Sequence, residues 1–255
     1  MSLRRVVTRA SLAFTLVLAA GCGGGSRPPH AAQGPGQIDL TRKGGAQNGP
    51  EAADRQGPIR FEDLPVSRLD RAKVPRPNGA SPSLGATSAP VVIQVWSDFE
   101  CPFCADMHPV LTELMRVYAG KVRLVWHDYP LPMHAHARLA ANAGREAYAE
   151  GGADAFWKFH DAIYTSSQID LSAQNLERIA TTRAGLDATR FHEGLSSLKH
   201  DAEIKQDMAT GDAIGVEGTP AFLVNDYFFV GSVPLEIMRV IVDRALTDAS
   251  APAAG

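Results

Sequence analysis

A short apolar run that leads directly into a pair of cysteines constrains the fold of this chain more than any other feature. Residues 91–96 (VVIQVW) are apolar and rich in β-branched side chains, which predicts a buried strand. Cys101-Pro-Phe-Cys104 follows, and residues 121–127 (KVRLVWH) predict a second strand. Between them, apolar residues recur at helical spacing up to a stop at Gly120: Met107, Val110, Leu111, Leu114 and Tyr118. A strand, helix and strand of this length predict adjacent parallel strands with a right-handed crossover.

The second half of the chain predicts a helical block and then a hairpin. Helical patterns fill residues 134–214, with a break expected at Gly151-Gly152. Residues 220–225 and 227–231 then predict a β-hairpin that turns at Asn225-Asp226, and a last helix is expected from about Pro234 to Leu246. The predicted order is β-α-β, an all-helical insertion at about 133–214, then β-β-α, an α/β fold spanning 89–250.

The N-terminal region indicates export. Residues 1–21 begin with three arginines and no acid, continue with an apolar run too short to span a bilayer, and end at Cys22. This pattern resembles the lipobox of bacterial lipoproteins, in which the cysteine is lipidated, although Ala19 stands where a larger aliphatic residue is usual. Ordinary secretion with a free Cys22 is the alternative. Lipidation leaves an even pair, Cys101 and Cys104, in a compartment where disulfides persist.

Composition separates the next two segments from the folded part. Residues 22–60 are rich in Gly, Pro, Gln, Ala and Ser, which predicts a flexible tether. Residues 61–88 predict an extended lead-in, with one short strand near 72–75 (AKVP).

Without residues 1–21 the chain carries 22 basic and 28 acidic residues, and it has no basic run. We therefore expect no nucleic-acid partner.

The cysteine pair stands where redox chemistry is favoured. Proline is preferred at the first position of a helix, so Pro102 predicts Cys101 at the helix cap, where free N–H groups and the helix dipole favour the thiolate. Cys104 lies one turn on, near enough to bridge. An inert staple and a zinc half-site are the alternatives. Zinc usually needs four ligands, and the nearby imidazoles are those of His127, His134 and His136. Capping or lining the start of the helical block is the better explanation for His134 and His136.

Two motifs carry a family resemblance. SDFECPFC (97–104) after a buried strand, and GVEGTPAFLVND (215–226) before the hairpin and last helix, resemble the thioredoxin superfamily. The helical block resembles its DsbA-like branch of exported thiol–disulfide oxidoreductases. The resemblance implies that Cys101 is an exposed nucleophile and Cys104 a buried resolving thiol, with no cofactor or metal. It also implies that substrate contacts Pro102, Phe103, Thr219 and Pro220, with a cis bond before Pro220.

Two departures from the family pattern affect the expected chemistry. Val95 stands where thioredoxin and DsbA carry a buried acid that assists proton transfer to the resolving thiol. Gln94, Asp98 and Glu100 are open alternatives for that role. Phe103 offers no charge where DsbA has a histidine, so we expect Cys101 to be less acidic than in DsbA and the disulfide to be a milder oxidant.

The functional expectation is disulfide exchange with exported proteins, with oxidation as the leading direction. Reductase and isomerase activities of the same fold, and a non-catalytic binding lipoprotein, are the alternatives. By resemblance, a membrane redox partner recycles the pair. The expected location is the periplasmic face of a bacterial membrane, through lipid on Cys22, or the soluble periplasm if Cys22 is free.

Overall fold

The computed structural model describes residues 59–77, 79–166 and 170–251. The expected signal peptide at 1–21, the expected lipidation site Cys22 and nearly all of the expected tether lie outside these residues. In the part of the chain that is described, none of the helices is both long and apolar enough to cross a membrane.

A mixed sheet forms the centre of the described region. Its six strands are arranged in the order β1-β6-β5-β3-β4-β2. Only β3 and β4 run parallel, with Val91 opposite Val122 and Ser97 opposite Asp128. The other neighbours are antiparallel. The bounds are β1 Ser67–Arg68, β2 Ser83–Leu84, β3 Val91–Ser97, β4 Val122–Asp128, β5 Ala221–Val224 and β6 Tyr227–Val230.

The helices follow the predicted order. Helix α1 joins the parallel strands, α2 to α5 form the inserted block, and α6 ends the fold. Ser172 and Asp187 cap α3 and α4 with their side chains, and Gly152, with φ of +68°, breaks α2 where the glycine pair predicts it. The bounds are α1 Pro102–Val117, α2 Ala137–Tyr164, α3 Ala173–Thr182, α4 Ala188–Ser196, α5 Asp201–Ile214 and α6 Leu235–Ser250. The predicted β-α-β, helical block, β-β-α architecture is confirmed.

The sheet buries both of its faces. Val91, Ile93 and Val95 of β3 point into the main core, which also contains the apolar sides of α1, α2 and α6. Trp96 points to the opposite face and packs in a smaller cluster with Val216 and Leu223. Burial on both sides explains why β3 reads as a continuous apolar run rather than an alternating one.

The lead-in differs from its prediction. The strand expected near 72–75 is wrong, because Arg71–Lys73 form a 3-10 turn capped by Asp70, whose carboxylate accepts a hydrogen bond from Ala72 N at 2.9 Å. The lead-in supplies β1 and β2 instead, one at each edge of the sheet. Each is only two residues long, and its partner, β6 or β4, is remote in sequence, so no local pattern predicts it.

Candidate active site

The two cysteines lie at the start of α1. Cys101 is the N-cap residue with extended backbone, and Pro102 takes the first helical position. The Cys101 carbonyl accepts hydrogen bonds from Cys104 N at 3.1 Å and Ala105 N at 3.2 Å. Both cysteines are free thiols in this structure. The helix start therefore sets the geometry of the pair, as the proline position predicts.

The pair is more covered than the resemblance implies. Cys101 is only 3% exposed, close to the 4% of Cys104, so the expectation of an exposed Cys101 is wrong. The cause is the Thr219 loop, because the Cys101 thiol donates a hydrogen bond to the Thr219 carbonyl at 3.4 Å. The residues between the cysteines form the exposed surface, with Phe103 44% exposed.

The surroundings of Cys101 favour its thiolate. The Cys101 pKa is lowered to about 6, first of all by a hydrogen bond from the Cys104 thiol. Burial opposes this shift, whereas the Thr219 side chain and the N–H groups at the helix start add to it. The Thr219 hydroxyl is buried and has no hydrogen-bond partner among the described residues while Cys101 is a thiol. Ionisation of Cys101 gives this hydroxyl an acceptor.

Cys104 has the opposite tendency. Burial, together with the hydrogen bond to Cys101 and the charge of Cys101, raises the Cys104 pKa well above that of an ordinary thiol. The Ser97 hydroxyl and the Asp98 N–H oppose this shift by stabilising the Cys104 thiolate. One sulfur of the pair is therefore prepared to ionise and the other to keep its proton.

The loop before β5 completes the site. The Thr219–Pro220 peptide bond is cis, as the resemblance implies. Thr219 lies against Cys101 although the two residues are 118 positions apart. Of the expected substrate-contacting residues, Thr219 and Pro220 are buried, whereas Pro102 and Phe103 are exposed.

The place of the missing acid is apolar, since Val95 is buried in the main core. The three alternative side chains have other partners. Gln94 contacts Pro75 and His127, Glu100 contacts His136, and Asp98 contacts the loop at 131–134. Ser97, which the sequence reading did not consider, supplies the hydroxyl beside Cys104. Its only signal in the sequence is a serine directly after the predicted strand at 91–96 that leads into the pair.

The imidazoles considered as zinc ligands are each paired with a different group. His127 lies between Gln94 and Asp207, His134 bonds to Asp98, and His136 bonds to Glu100. Among the described residues, one group could hold a metal ion: His108, His160 and Asp161. Asp161 contacts both imidazoles, at 3.1 and 2.9 Å, and hydrogen bonding accounts for these contacts.

Comparison with known proteins agrees with the fold. The family model described as thioredoxin matches residues 77–244, more than half of the chain. A probable disulfide bond formation protein D of Bacillus anthracis is 30% identical over 151 residues, which cover 56% of this chain and 69% of that protein. The Na(+)/H(+) antiporter NhaA 3 of Salinispora tropica is 38% identical over 166 residues, or 65% of this chain and only 24% of that protein.

Solved structures show the same architecture. The oxidised BdbD of Bacillus subtilis superposes with a TM-score of 0.60 at 20% identity, covering 66% of this chain and 94% of that one. A thioredoxin-like oxidoreductase of Silicibacter pomeroyi gives 0.58 at 28% identity, covering 66% and 93%.

The chain therefore belongs to the thioredoxin family, and DsbA-like thiol–disulfide oxidoreductases are among its relatives. The predicted resemblance is confirmed.

Proposed function

We propose that this protein is a thiol–disulfide oxidoreductase that donates the Cys101–Cys104 disulfide to exported proteins. The observation that carries the proposal is the placement of Cys101 at the start of α1 and of Cys104 one turn on in a buried position, which lowers the Cys101 pKa to about 6 and raises the Cys104 pKa. A stable thiolate is a good leaving group. Cys101 is therefore readily released from a mixed disulfide when the substrate forms its own disulfide.

The exchange proceeds in two steps. A substrate thiolate attacks the Cys101 sulfur, which forms a mixed disulfide and breaks the Cys101–Cys104 bond, and Cys104 leaves and takes up a proton. A second substrate thiolate then attacks the substrate sulfur of the mixed disulfide, and Cys101 leaves as a thiolate. Two electrons pass from two substrate thiols to the cysteine pair, and the substrate gains one disulfide.

The exposed surface supports a protein substrate. Pro102 and Phe103 are exposed beside the covered sulfur, and the backbone at Thr219–Pro220 lies against it. We infer that an extended substrate segment pairs with the Thr219 backbone and displaces the contact that covers Cys101. A membrane-bound partner then reoxidises the pair.

We also infer export and a lipid anchor on Cys22, as the N-terminal pattern predicts. We expect wild-type protein in the membrane fraction and the Cys22→Ser variant in the soluble fraction. Equal membrane association of the two proteins would contradict the anchor.

The decisive measurement is the reduction potential of Cys101–Cys104 in the full chain, equilibrated against glutathione buffers. A value above the glutathione poise supports a disulfide donor, and a strongly reducing value near that of thioredoxin would reverse the direction. A pair that fails to equilibrate would leave only a structural disulfide.

A substrate-trapping variant distinguishes the enzyme from a binding module. We expect Cys104→Ser to accumulate a mixed disulfide with an oxidised substrate, because the Cys101 thiolate attacks the substrate disulfide, releases one substrate thiolate and cannot be resolved. Cys101→Ala should form none. Loss of the biological function in Cys101→Ala, with binding retained, supports the enzyme, whereas full function in that variant identifies a binding module.

A further inference from the structure

His134 is held close to the active site by a buried carboxylate. It lies in the loop between β4 and α2, and its Nδ1 is 2.7 Å from Asp98 Oδ2. The Asp98 side chain has no solvent exposure, whereas that of His134 is 20% exposed. The same carboxylate accepts hydrogen bonds from Glu100 N at 2.8 Å and Leu131 N at 2.9 Å. A carboxylate with three partners fixes the imidazole in one position.

Asp98 joins this imidazole to the nucleophile. Its backbone carbonyl accepts a hydrogen bond from Cys101 N at 3.1 Å, so one residue holds both Cys101 and His134. Partial burial disfavours the imidazolium, but the hydrogen bond and charge of Asp98 and the charge of Cys101 outweigh it and raise the His134 pKa. The negative charge of the Cys101 sulfur therefore contributes to the raised pKa of His134.

The other charged group that faces His134 is Glu100. Its carboxylate is occupied by His136, which donates its backbone N–H at 2.6 Å and has Nδ1 at 3.3 Å. No basic residue stands between the two cysteines, because the intervening residues are Pro102 and Phe103. The motif itself therefore offers no cation to the thiolate, and His134 is the imidazole outside the motif whose pKa responds to the Cys101 charge.

We propose that the His134 imidazolium, fixed by the buried Asp98 carboxylate, is the positive charge that stabilises the Cys101 thiolate. His134 is then a positioning residue for disulfide exchange, brought to the pair by tertiary structure rather than by the motif. The proposal rests on the proposed function, since it assigns a residue that tunes the same cysteine pair.

The first test removes the positive charge of His134 and keeps its hydrogen bond to Asp98. His134→Gln retains an N–H donor for Asp98 but is always neutral. The matched control is His136→Gln, in the same loop, paired with Glu100 instead of Asp98. The thiolate absorbance of the reduced full chain is titrated with pH. We expect the Cys101 midpoint to rise by about one unit in His134→Gln and to stay unchanged in His136→Gln.

The same variants have a redox readout. Loss of thiolate stabilisation makes the reduced form less favourable, so the equilibrium constant for oxidation of glutathione falls by up to about tenfold above neutral pH. An unchanged titration in His134→Gln, or an equal shift in His136→Gln, overturns the proposal.

The second test measures the wild-type protein itself. Because the interaction is reciprocal, oxidation of the pair removes the thiolate and lowers the His134 pKa. Histidine ring resonances of wild-type protein are titrated in both redox states, with single His→Gln variants used only for assignment. We expect a higher His134 pKa in the reduced protein and no change at His136, and equal His134 values overturn the proposal.

Neither titration uses a protein substrate. A protein that shows the His134 effects but does not exchange disulfides refutes the proposed function alone, whereas active exchange without them refutes the role of His134 alone.

Discussion

At the scale of single residues, Cys101 and Cys104 are chemically identical and one helical turn apart, yet their environments separate them. The Cys101 thiolate is favoured by hydrogen bonds that it accepts from the Cys104 thiol, the Thr219 hydroxyl and the N–H groups at the helix start. Cys104 is buried beside that charge, and the Ser97 hydroxyl and the Asp98 N–H favour its ionisation without outweighing burial. The order of attack follows from these surroundings.

The first residue-scale prediction concerns pH. The rate of iodoacetamide alkylation of Cys101 is expected to follow a midpoint at about pH 6, because alkylation requires the thiolate. Since the folded-state pKa is depressed, the stabilisation of the reduced protein is present above the ordinary thiol pKa and is lost as pH falls through about 6. A midpoint near that of a free thiol would contradict the assignment.

The second residue-scale prediction concerns Ser97. Removal of its hydroxyl in Ser97→Ala leaves the Cys104 thiolate without that hydrogen bond, so the Cys104 pKa rises further. We expect Cys104 to resolve a mixed disulfide about tenfold more slowly, measured in single turnover at neutral pH. Ser196→Ala, which removes an exposed hydroxyl on α4, is the control and should resolve at the wild-type rate.

At the scale of elements, the strand that leads into the pair depends on close packing with α5. Gly211 of α5 lies against Trp96 of β3, and a Cβ added there would be 2.8 Å from Trp96 Cδ1. The Trp96 indole donates a hydrogen bond to the Asp207 carbonyl at 3.1 Å, which ties the same helix to the strand. Helix and strand therefore meet where only glycine fits.

The element-scale prediction follows from this contact. Gly211→Ala should force Trp96 to move and lower the free energy of unfolding by about 1–3 kcal/mol, measured by urea denaturation. Ala213→Ser adds one heavy atom at an exposed position of the same helix and should change stability by less than about 0.5 kcal/mol. Equal stability of Gly211→Ala and wild type would show that the strand and helix can separate without cost.

At the scale of the whole molecule, one buried arginine connects the sheet, the helical block and the lead-in. Arg145 of α2 pairs with Asp128 at the end of β4 and with Asp207 of α5, and it donates to the Ala80 carbonyl at 2.9 Å. The Arg145 side chain is only 4% exposed. Removal of one partner from such a network leaves uncompensated buried charge.

The prediction at this scale compares two arginines of α2. Arg145→Met should lower the free energy of unfolding by about 3–5 kcal/mol. Arg138→Met breaks a partly exposed ion pair with Asp201, but Asp201 keeps its second partner, Lys205. This variant should lower the free energy of unfolding by at most about 1 kcal/mol.

The pH dependence of Arg145→Met adds a further check. Burial raises the Asp128 pKa, and the charge of Arg145 opposes that rise. Without Arg145 the Asp128 pKa is raised further, so the variant loses stability as the pH rises through that pKa. The difference in the free energy of unfolding between wild type and variant should therefore shrink in mild acid. Urea unfolding at neutral and mildly acidic pH measures the difference, and a deficit that grows in acid would contradict the charge assignment.

Local patterns were sufficient to predict the order of elements from β3 to α6, the break in α2, and the position of Cys101 at the cap of α1. These features depend on residues within one or two helical turns of each other, so the chain carries their signal continuously. The two-motif resemblance added the cis Thr219–Pro220 bond. The cover over Cys101, the hydroxyl of Ser97 beside Cys104 and the Asp98–His134 pair were decided by tertiary structure alone. They join groups from separate elements in a buried region, where each group's proximity and desolvation are set by the packed fold.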